Sequence, residues 1–197
     1  MPLRRAPGAE KSVAPGDTAA RFPDSAAEIS ARVFDSRIRC GGLVRNRGMN
    51  EKITRKKMVE LLNEDLAREY QAIIAYVVYS QTIKGAAFTD IAGELAIHAA
   101  EELDHALQIA KQIDYFNGTP GTVPLAVKMS DKAEDMLRFD LENEKETIIN
   151  YRQRIRQAEE LGEFALSETL RKIIAQEQEH LTDLAGALGI DNPVIKE

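Results

Sequence analysis

Four long stretches of this chain contain no proline and carry apolar residues at alternating steps of four and three. They cover about residues 54–83, 87–116, 131–160 and 163–188. This spacing is typical of the core positions of helical bundles. Stretches of about 26–30 residues correspond to helices about 40–45 Å long. The pattern therefore predicts four long helices that share one core.

The links between these stretches favour an antiparallel arrangement. Gly85 and Gly162 lie in the short links within the first and second helix pairs, and short links join antiparallel neighbours. A longer segment rich in Asn, Gly and Pro, residues 117–124, separates the two pairs. We expect it to belong to a crossover that runs the length of the bundle, with Ser130 as the N-cap of the third helix. The predicted fold class is all-α: an antiparallel four-helix bundle with a long crossover between helices 2 and 3.

A carboxylate interrupts the middle of each apolar seam, with apolar residues on both sides. The four residues are Glu69, Glu102, Glu144 and Glu177. A buried carboxylate without a partner is strongly unfavourable, and four that face one another would also repel. These side chains must therefore bind protons or face a positively charged partner.

The spacing of these carboxylates repeats between the two halves of the chain. Glu102 and Glu177 each begin a Glu-x-x-His motif, which ends at His105 and His180, and each follows the preceding seam glutamate by 33 residues. A step of three places the Glu and the His on one face of a helix, one turn apart. One such motif is a weak signal, because surface helices are rich in Glu. Two motifs at the same spacing are hard to obtain by chance.

The residue types indicate which metal such a site would bind. Four carboxylates and two imidazoles form a hard, oxygen-rich set with one nitrogen for each of two ions. Their four negative charges balance two divalent cations, and the absence of thiolates disfavours a structural zinc site. This set matches the ligands described for di-iron and di-manganese four-helix bundles. The predicted two-metal site, with iron favoured and manganese as the alternative, is formed by Glu69, Glu102, His105, Glu144, Glu177 and His180.

Around these residues the chain resembles the bacterioferritin-type ferritins. The segments that carry the resemblance are residues 62–76, 101–106, 136–144 and 177–180, and the resemblance extends over about residues 54–188. It implies a ferritin-like four-helix bundle that works as a ferroxidase, which oxidises Fe(II) with oxygen or peroxide. It also implies that the ferric product is stored or passed on, and that the protein is a homo-oligomer with a part in iron homeostasis.

The resemblance further implies a role for each site residue. Glu69 and His105 would bind one iron, Glu144 and His180 would bind the other, and the glutamates of the two Glu-x-x-His motifs would bridge them. A tyrosine lies seven residues after the first seam glutamate in each half, Tyr76 and Tyr151 in the sequence. These tyrosines would lie just outside the ligands, either with a redox role or as ordinary core aromatics. The implied catalytic set is Glu69, Glu102, His105, Glu144, Glu177, His180 and Tyr76.

Two positions depart from the bacterioferritin pattern. Bacterioferritins have a haem-ligating Met directly after the bridging Glu of the second helix, and here that position is Leu103. Haem is therefore not expected. Only 17 residues follow His180, and they include Gly189 and Pro193. A fifth helix is therefore not expected either, and a 24-subunit cage is not implied.

His98 allows two interpretations. It lies seven residues before His105 on the same seam, which is about 10.5 Å along a helix and too far for the two to share an ion simply. The equivalent position in the second half of the chain is Ile173. His98 is either a hydrogen-bonded core histidine or, together with Glu101, a residue that passes metal ions on.

Two other functional classes stay open beside an iron-storing ferritin. The same bundle is used by di-iron or di-manganese redox enzymes of the peroxidase, catalase and oxygenase types. A rubrerythrin-type peroxidase would normally add a Cys-x-x-Cys module, and this chain has one cysteine. A Dps-like protein that protects DNA would use the basic N-terminal region.

Composition divides the chain into two regions. Residues 1–48 contain nine basic and five acidic residues, a net charge of +4, and four of the seven prolines. We predict that they form a disordered tail, which need not belong to the functional protein, and that the bundle occupies residues 49–197. The bundle region carries 17 basic and 27 acidic residues, a net charge of −10, which disfavours general nucleic-acid binding.

Two further features concern the cellular setting. The sequence contains no run of 18 or more apolar residues, so no membrane-spanning helix is predicted. Its single cysteine, Cys40, cannot form an internal disulfide. We therefore predict a reducing, cytoplasmic location.

Overall fold

A computed structural model describes residues 52–196, in which the chain forms four α-helices and no strand. A single 3₁₀ turn, Ala86–Phe88, lies between the first two helices. The four helices are α1 (Arg55–Thr82), α2 (Thr89–Tyr115), α3 (Ala133–Glu160) and α4 (Phe164–Ala187). The all-α prediction is confirmed, and each helix end lies within two residues of the predicted one. The predicted tail and Cys40 lie outside the described residues.

Local signals explain the start of α1 and the end of α2. The Thr54 side chain caps α1 by accepting a hydrogen bond from the backbone N of Lys57, at 3.1 Å. After α2, Asn117 adopts a positive φ of 61°, and the next residue, Gly118, passes so close to α1 that a Cβ there would lie 2.5 Å from Val59. Only glycine fits at position 118, so the chain turns tightly into the crossover.

The predicted role of Ser130 as the N-cap of α3 is wrong. The N-cap is Lys132, which has no side-chain cap. The Ser130 hydroxyl instead accepts a hydrogen bond from the backbone N of Lys132 and donates one to the Asp135 carboxylate, at 3.1 and 2.9 Å. Ser130 therefore shapes the turn before α3 rather than satisfying the first turn of the helix itself.

The helices pack as two antiparallel pairs. α1 packs on α2 and α3 packs on α4, while α1 also contacts α3 and α2 contacts α4. Two separate apolar clusters fill the ends of the bundle. One surrounds Leu62, Ile109 and Leu170, and the other surrounds Tyr79 and Leu137. The polar centre lies between them, so it is held by packed apolar layers on both sides.

The crossover between α2 and α3 runs along α1, as predicted. The backbone N of Leu125 donates to the carbonyl of Ala67 at 3.0 Å. One turn further on, the Gln71 side chain donates to the carbonyl of Ala126 at 2.6 Å. Near the start of the crossover the Asn63 side chain donates to the carbonyl of Thr119 at 3.3 Å, and near its end the Tyr79 hydroxyl donates to the carbonyl of Lys128. The crossover therefore follows α1 from Asn63 to Tyr79.

None of the helices between residues 52 and 196 is both long enough and apolar enough to cross a bilayer. The residues that follow α4, up to residue 196, contain no further helix.

Candidate metal centre

All six predicted ligands lie together in the middle of the bundle. Each is at most 2% exposed, and every helix contributes at least one of them. They point inward because they occupy seam positions that are otherwise apolar, one turn from core leucines and isoleucines. The six are Glu69 on α1, Glu102 and His105 on α2, Glu144 on α3, and Glu177 and His180 on α4.

The Nδ1 atom of each histidine faces carboxylate oxygens. Nδ1 of His105 lies 3.5 Å from Glu69, 3.3 Å from Glu102 and 3.2 Å from Glu177. Nδ1 of His180 lies 2.9 Å from Glu102 and 3.5 Å from Glu177. The two Glu-x-x-His glutamates therefore contact both imidazoles, whereas Glu69 contacts only one.

Two groups of potential ligands result, and they overlap. Within each group the ligand atoms all lie within 4.8 Å of one another. Each group has a seam glutamate and a histidine of its own, and the groups share Glu102 and Glu177. The first group is Glu69, Glu102, His105 and Glu177, and the second is Glu102, Glu144, Glu177 and His180.

A chain of hydrogen bonds joins the outer nitrogens of the two histidines. Nε2 of His105 lies 3.0 Å from Oε1 of Gln176, whose Nε2 donates to Glu101 at 3.2 Å. Nε2 of His180 lies 2.9 Å from the other oxygen of Glu101. With both Nε2 atoms donating in this chain, both Nδ1 atoms are left free to act as ligands. Gln176 was not predicted from the sequence, although it directly precedes Glu177, just as Glu101 directly precedes Glu102.

The two tyrosines connect the halves of the centre crosswise. The Tyr76 hydroxyl donates to Glu144, and the Tyr151 hydroxyl donates to Glu69. Each tyrosine therefore binds the glutamate of the other half, and both are 1% exposed. Burial and the nearby carboxylates raise the pKa of both phenols well above their ordinary value. Both hydroxyls consequently remain protonated donors.

Burial dominates the electrostatics of the two glutamates that are not shared. It raises the pKa of Glu69 and of Glu144 well above the ordinary value, and the neighbouring charges of Glu102 and Glu177 raise both further. In the absence of a cation these two carboxyls therefore tend to retain protons.

The histidines and Glu102 behave as partners of opposite charge. Burial acts to lower the pKa of His180, but the neighbouring carboxylates of Glu102 and Glu177 outweigh burial and raise it to about 10. The same balance raises the pKa of His105 well above its ordinary value. Burial acts to raise the pKa of Glu102, but its close contacts with His105, His180 and Glu69 together lower it below the ordinary value. Protonated imidazoles thus balance part of the carboxylate charge.

The donor atoms of the centre fit a pair of cations. Several of them are buried and make no hydrogen bond of good geometry, although they lie close to one another: Oε2 of Glu69, Oε1 of Glu102, both carboxylate oxygens of Glu177 and Nδ1 of His180. Buried polar atoms normally have partners, and groups without them indicate strain, function or an unseen ligand. Oxygen-rich sets with one imidazole per ion suit iron and manganese.

A narrow opening reaches the centre from the α1–α3 side. Its cavity, about 10 Å³, is close to the space that one water molecule needs. Arg68 and Gln71 of α1 and Asn143 and Thr147 of α3 line it, above the carboxylates of the centre.

Two more carboxylates lie buried near the centre, and the sequence pattern predicted neither of them. Asp65 is 2% exposed and accepts two hydrogen bonds from the Arg154 guanidinium, at 2.7 and 3.1 Å. Its counterpart Asp140 is also 2% exposed, but its Oδ2 atom has no hydrogen-bond partner. Burial raises the pKa of Asp140 well above its ordinary value, so Asp140 is stabilised as the neutral acid.

His98 and Leu103 lie on different sides of α2. His98 is 3% exposed, and its ring stacks on that of His180 with the centroids 4.1 Å apart. Leu103 is 52% exposed, on a face of α2 away from the centre.

The bundle and its carboxylate–histidine centre define the class of protein to which this chain belongs. Four long helices with one glutamate from each of two helices, and a Glu-x-x-His motif from each of the other two, characterise the ferritin-like bundles. The protein-family model described as the ferritin-like domain matches residues 59–192 of this chain. The chain is a member of the ferritin-like family.

Among the individual proteins similar to this chain are bacterioferritins and solved ferritin-like structures. The bacterioferritin of Desulfovibrio desulfuricans is 27% identical over 134 residues, covering 68% of this chain and 75% of that protein. A crystal structure described as ferritin-like, diiron-carboxylate proteins from Bacillus anthracis is 36% identical, with a TM-score of 0.66, and covers 68% of this chain and 96% of that one. A dodecameric thioferritin from Bacteroides fragilis, a bacterioferritin-related protein, is 25% identical, with a TM-score of 0.65, and covers 70% and 88%.

Proposed function

We propose that this protein is a ferroxidase of the bacterioferritin kind, which binds two Fe(II) ions in the centre, oxidises them and sequesters the product. The observation that carries this proposal is the pair of overlapping ligand groups that share Glu102 and Glu177. Two ions placed in these groups would each have a glutamate and a histidine of their own, and both would contact the shared carboxylates. Membership of the ferritin-like family and the similarity to bacterioferritins support the same function.

The assignment of ligands follows from the two groups. Glu69 and His105 hold the first ion, and Glu144 and His180 hold the second. When bound, the ions supply the electrons that oxygen or peroxide accepts. The residues of the chain supply charge and order: four carboxylates balance two divalent cations, and the Gln176–Glu101 chain fixes the Nδ1 atom of each histidine toward the centre.

Proton movement accompanies binding at this centre. The raised pKa values of Glu69, Glu144 and His180 mean that the centre without ions carries extra protons. Metal ligands must be deprotonated, so loading releases these protons. The two tyrosine hydroxyls keep donating to the outer glutamates and hold their carboxylates in place while the charge changes.

Iron oxidation by bridge variants tests this function. Glu102→Ala and Glu177→Ala should each reduce the initial rate of Fe(II) oxidation to that of free Fe(II) in the same buffer, because each removes a ligand from both ions. Glu179→Ala, an exposed α4 glutamate, is the matched control and should oxidise iron as fast as the parent. Unchanged rates in both bridge variants would rule out the proposed centre.

Metal counting tests the same proposal independently of rate. When iron is supplied in an amount too small for storage, elemental analysis should find two iron ions per chain in the parent and fewer in the bridge variants. One zinc per chain, with no iron bound, would contradict a two-metal site. A di-manganese enzyme would show two manganese ions and no oxidation of Fe(II).

We further propose that the protein stores iron as a homo-oligomer. The dodecameric state of the Bacteroides fragilis relative supports this. Mass measurement of the full chain after incubation with excess Fe(II) should show one assembly of many chains that holds many more than two irons per chain. A monomer that retains only two iron ions would support a redox centre but contradict the proposed storage of iron.

A further inference from the structure

His98 occupies a position where the bundle would otherwise have an apolar residue. Its counterpart in the second half is Ile173, which is 0% exposed and part of the core. His98 is itself 3% exposed and contacts the rings of Tyr76 and His180, with centroids 5.4 and 4.1 Å away. An imidazole in a core position is unfavourable unless its nitrogens have partners.

The partners of His98 lie at the surface between α2 and α4. Its Nε2 atom lies 3.3 Å from Oδ2 of Asp183, while its Nδ1 atom is buried without a hydrogen-bond partner. Glu94, one turn earlier on α2, brings a second carboxylate to the same place. One ligand atom from each of Glu94, His98 and Asp183 lies within 4.8 Å of the others.

A simple His–Asp hydrogen bond does not account for this arrangement. Such a bond needs only Asp183, yet Glu94 adds a second negative charge beside it. Both carboxylates are exposed, and among residues 52–196 no ion pair joins either of them to a lysine or arginine. Two like charges held together on one imidazole are stabilised when a cation lies between them.

We propose that Glu94, His98 and Asp183 form a third binding site for a divalent first-row metal ion, separate from the two-metal centre. One imidazole and two carboxylates suit Fe²⁺, Mn²⁺ or Zn²⁺. The two carboxylates are exposed and only three protein ligands are present, so water completes the coordination and the ion exchanges readily.

The site lies beside the two-metal centre but on its opposite side from the α1–α3 opening. His98, Glu101 and His180 also offer ligand atoms within 4.8 Å of one another, so potential ligands continue from the surface site to a histidine of the centre. Binding at this third site does not depend on the proposed oxidation of iron. A bound ion that undergoes no redox reaction therefore tests the third site separately from the proposed function.

Zinc binding to the full chain tests the proposal. Zn²⁺ does not change oxidation state, so binding is read without any reaction. The double variant Glu94→Gln/Asp183→Asn removes two surface charges and leaves the buried ring in place. The matched control, Asp104→Asn/Glu179→Gln, removes one exposed carboxylate from each of the same two helices. Calorimetric titration gives the stoichiometry, and crystals diffracted at the zinc absorption edge give the positions.

The parent and the control should bind one more zinc ion per chain than Glu94→Gln/Asp183→Asn does, with an anomalous peak beside His98. Equal stoichiometry in all three proteins, or crystals of the parent without that peak, would overturn the third site. Peaks at Glu102 and Glu177 alone would leave the proposed function standing while this inference fails. A peak beside His98 alone would support the third site and count against the two-metal centre.

Discussion

At the scale of single residues, the difference between Glu101 and Gln176 shows how the centre orients its histidines. These residues occupy equivalent positions, each directly before the glutamate of a Glu-x-x-His motif, yet one is an acid and the other an amide. A glutamine can accept from His105 and donate to Glu101 at once, which two glutamates facing each other could not do. The pair therefore lets one chain of hydrogen bonds serve both imidazoles.

Gln176→Leu should break this chain and leave Nε2 of His105 without an acceptor. We expect metal affinity to fall by roughly 10–100-fold, the usual effect of losing a partner of a ligating histidine. Competition with a chelator of known affinity measures this loss. Gln178→Leu changes an exposed glutamine on the same helix and should leave the affinity unchanged. Equal affinity in Gln176→Leu and the parent would mean that packing alone orients His105.

The crosswise tyrosines make a second prediction at this scale. Tyr76→Phe and Tyr151→Phe each remove one donor to a buried glutamate, so each should lower the free energy of unfolding of the metal-free protein by about 1–3 kcal/mol. Thermal unfolding at a fixed protein concentration measures both. If Tyr76 has the predicted redox role, only Tyr76→Phe should also slow Fe(II) oxidation. Tyr115→Phe, at a position 60% exposed, is the control and should change neither the free energy of unfolding nor the oxidation rate. If Tyr76→Phe did not slow Fe(II) oxidation, the role of Tyr76 would be structural only.

Much of the centre was predictable from sequence because its spacing is local. The two Glu-x-x-His motifs and the repeat of 33 residues lie within helices and helix pairs, where periodicity fixes which residues share a face. The bonds between Tyr151 and Glu69, or between His105 and Gln176, join residues 82 and 71 positions apart. No local pattern encodes such partners, so only the folded chain shows them. That the six residues bind metal stays a prediction.

At the scale of helices, apolar seams and glycine-containing links predicted the elements well, whereas polar contacts between helices were missed. Arg154 is an example: it is 4% exposed on α3 and its guanidinium binds Asp65 of α1. The sequence shows only an arginine among many on a charged helix. Its burial follows from the packing of α3 on α1, which the seam pattern does not specify to the level of one side chain.

Arg154→Met should destabilise the protein strongly, because it leaves Asp65 buried without a cation. Burial already raises the pKa of Asp65, and Arg154 opposes this more strongly than the other nearby arginine, Arg68. We expect a loss of about 3–5 kcal/mol in the free energy of unfolding. The double variant Asp65→Leu/Arg154→Met replaces the pair by apolar groups and should recover most of that loss. If the double variant were as unstable as the single one, the loss would come from packing rather than from the uncompensated charge.

At the scale of the whole molecule, protons held by the centre should make the metal-free protein less stable as pH rises. Bound metal should give stability the opposite dependence on pH. The folded chain without ions holds protons on Glu69 and Glu144, whose pKa values are raised above 4.5, and on His180, whose pKa is raised from 6.5 to about 10. The unfolded chain releases these protons at lower pH. Stability falls with rising pH wherever the folded state binds more protons. The melting temperature of the metal-free protein should therefore decrease between about pH 6 and about pH 9.

Bound metal should reverse this trend, because ions would displace the same protons and bind more tightly as pH rises. The contribution of His180 to metal-free stability is complete below its unfolded pKa of 6.5 and is lost as pH rises through about 10. Over that window the difference in melting temperature between loaded and metal-free protein should widen. Glu69→Gln/Glu144→Gln, which cannot ionise at these two positions, should show a shallower metal-free decrease than the parent does. A metal-free melting temperature that rises from about pH 6 to about pH 9 in the parent would mean that groups outside the centre control its stability.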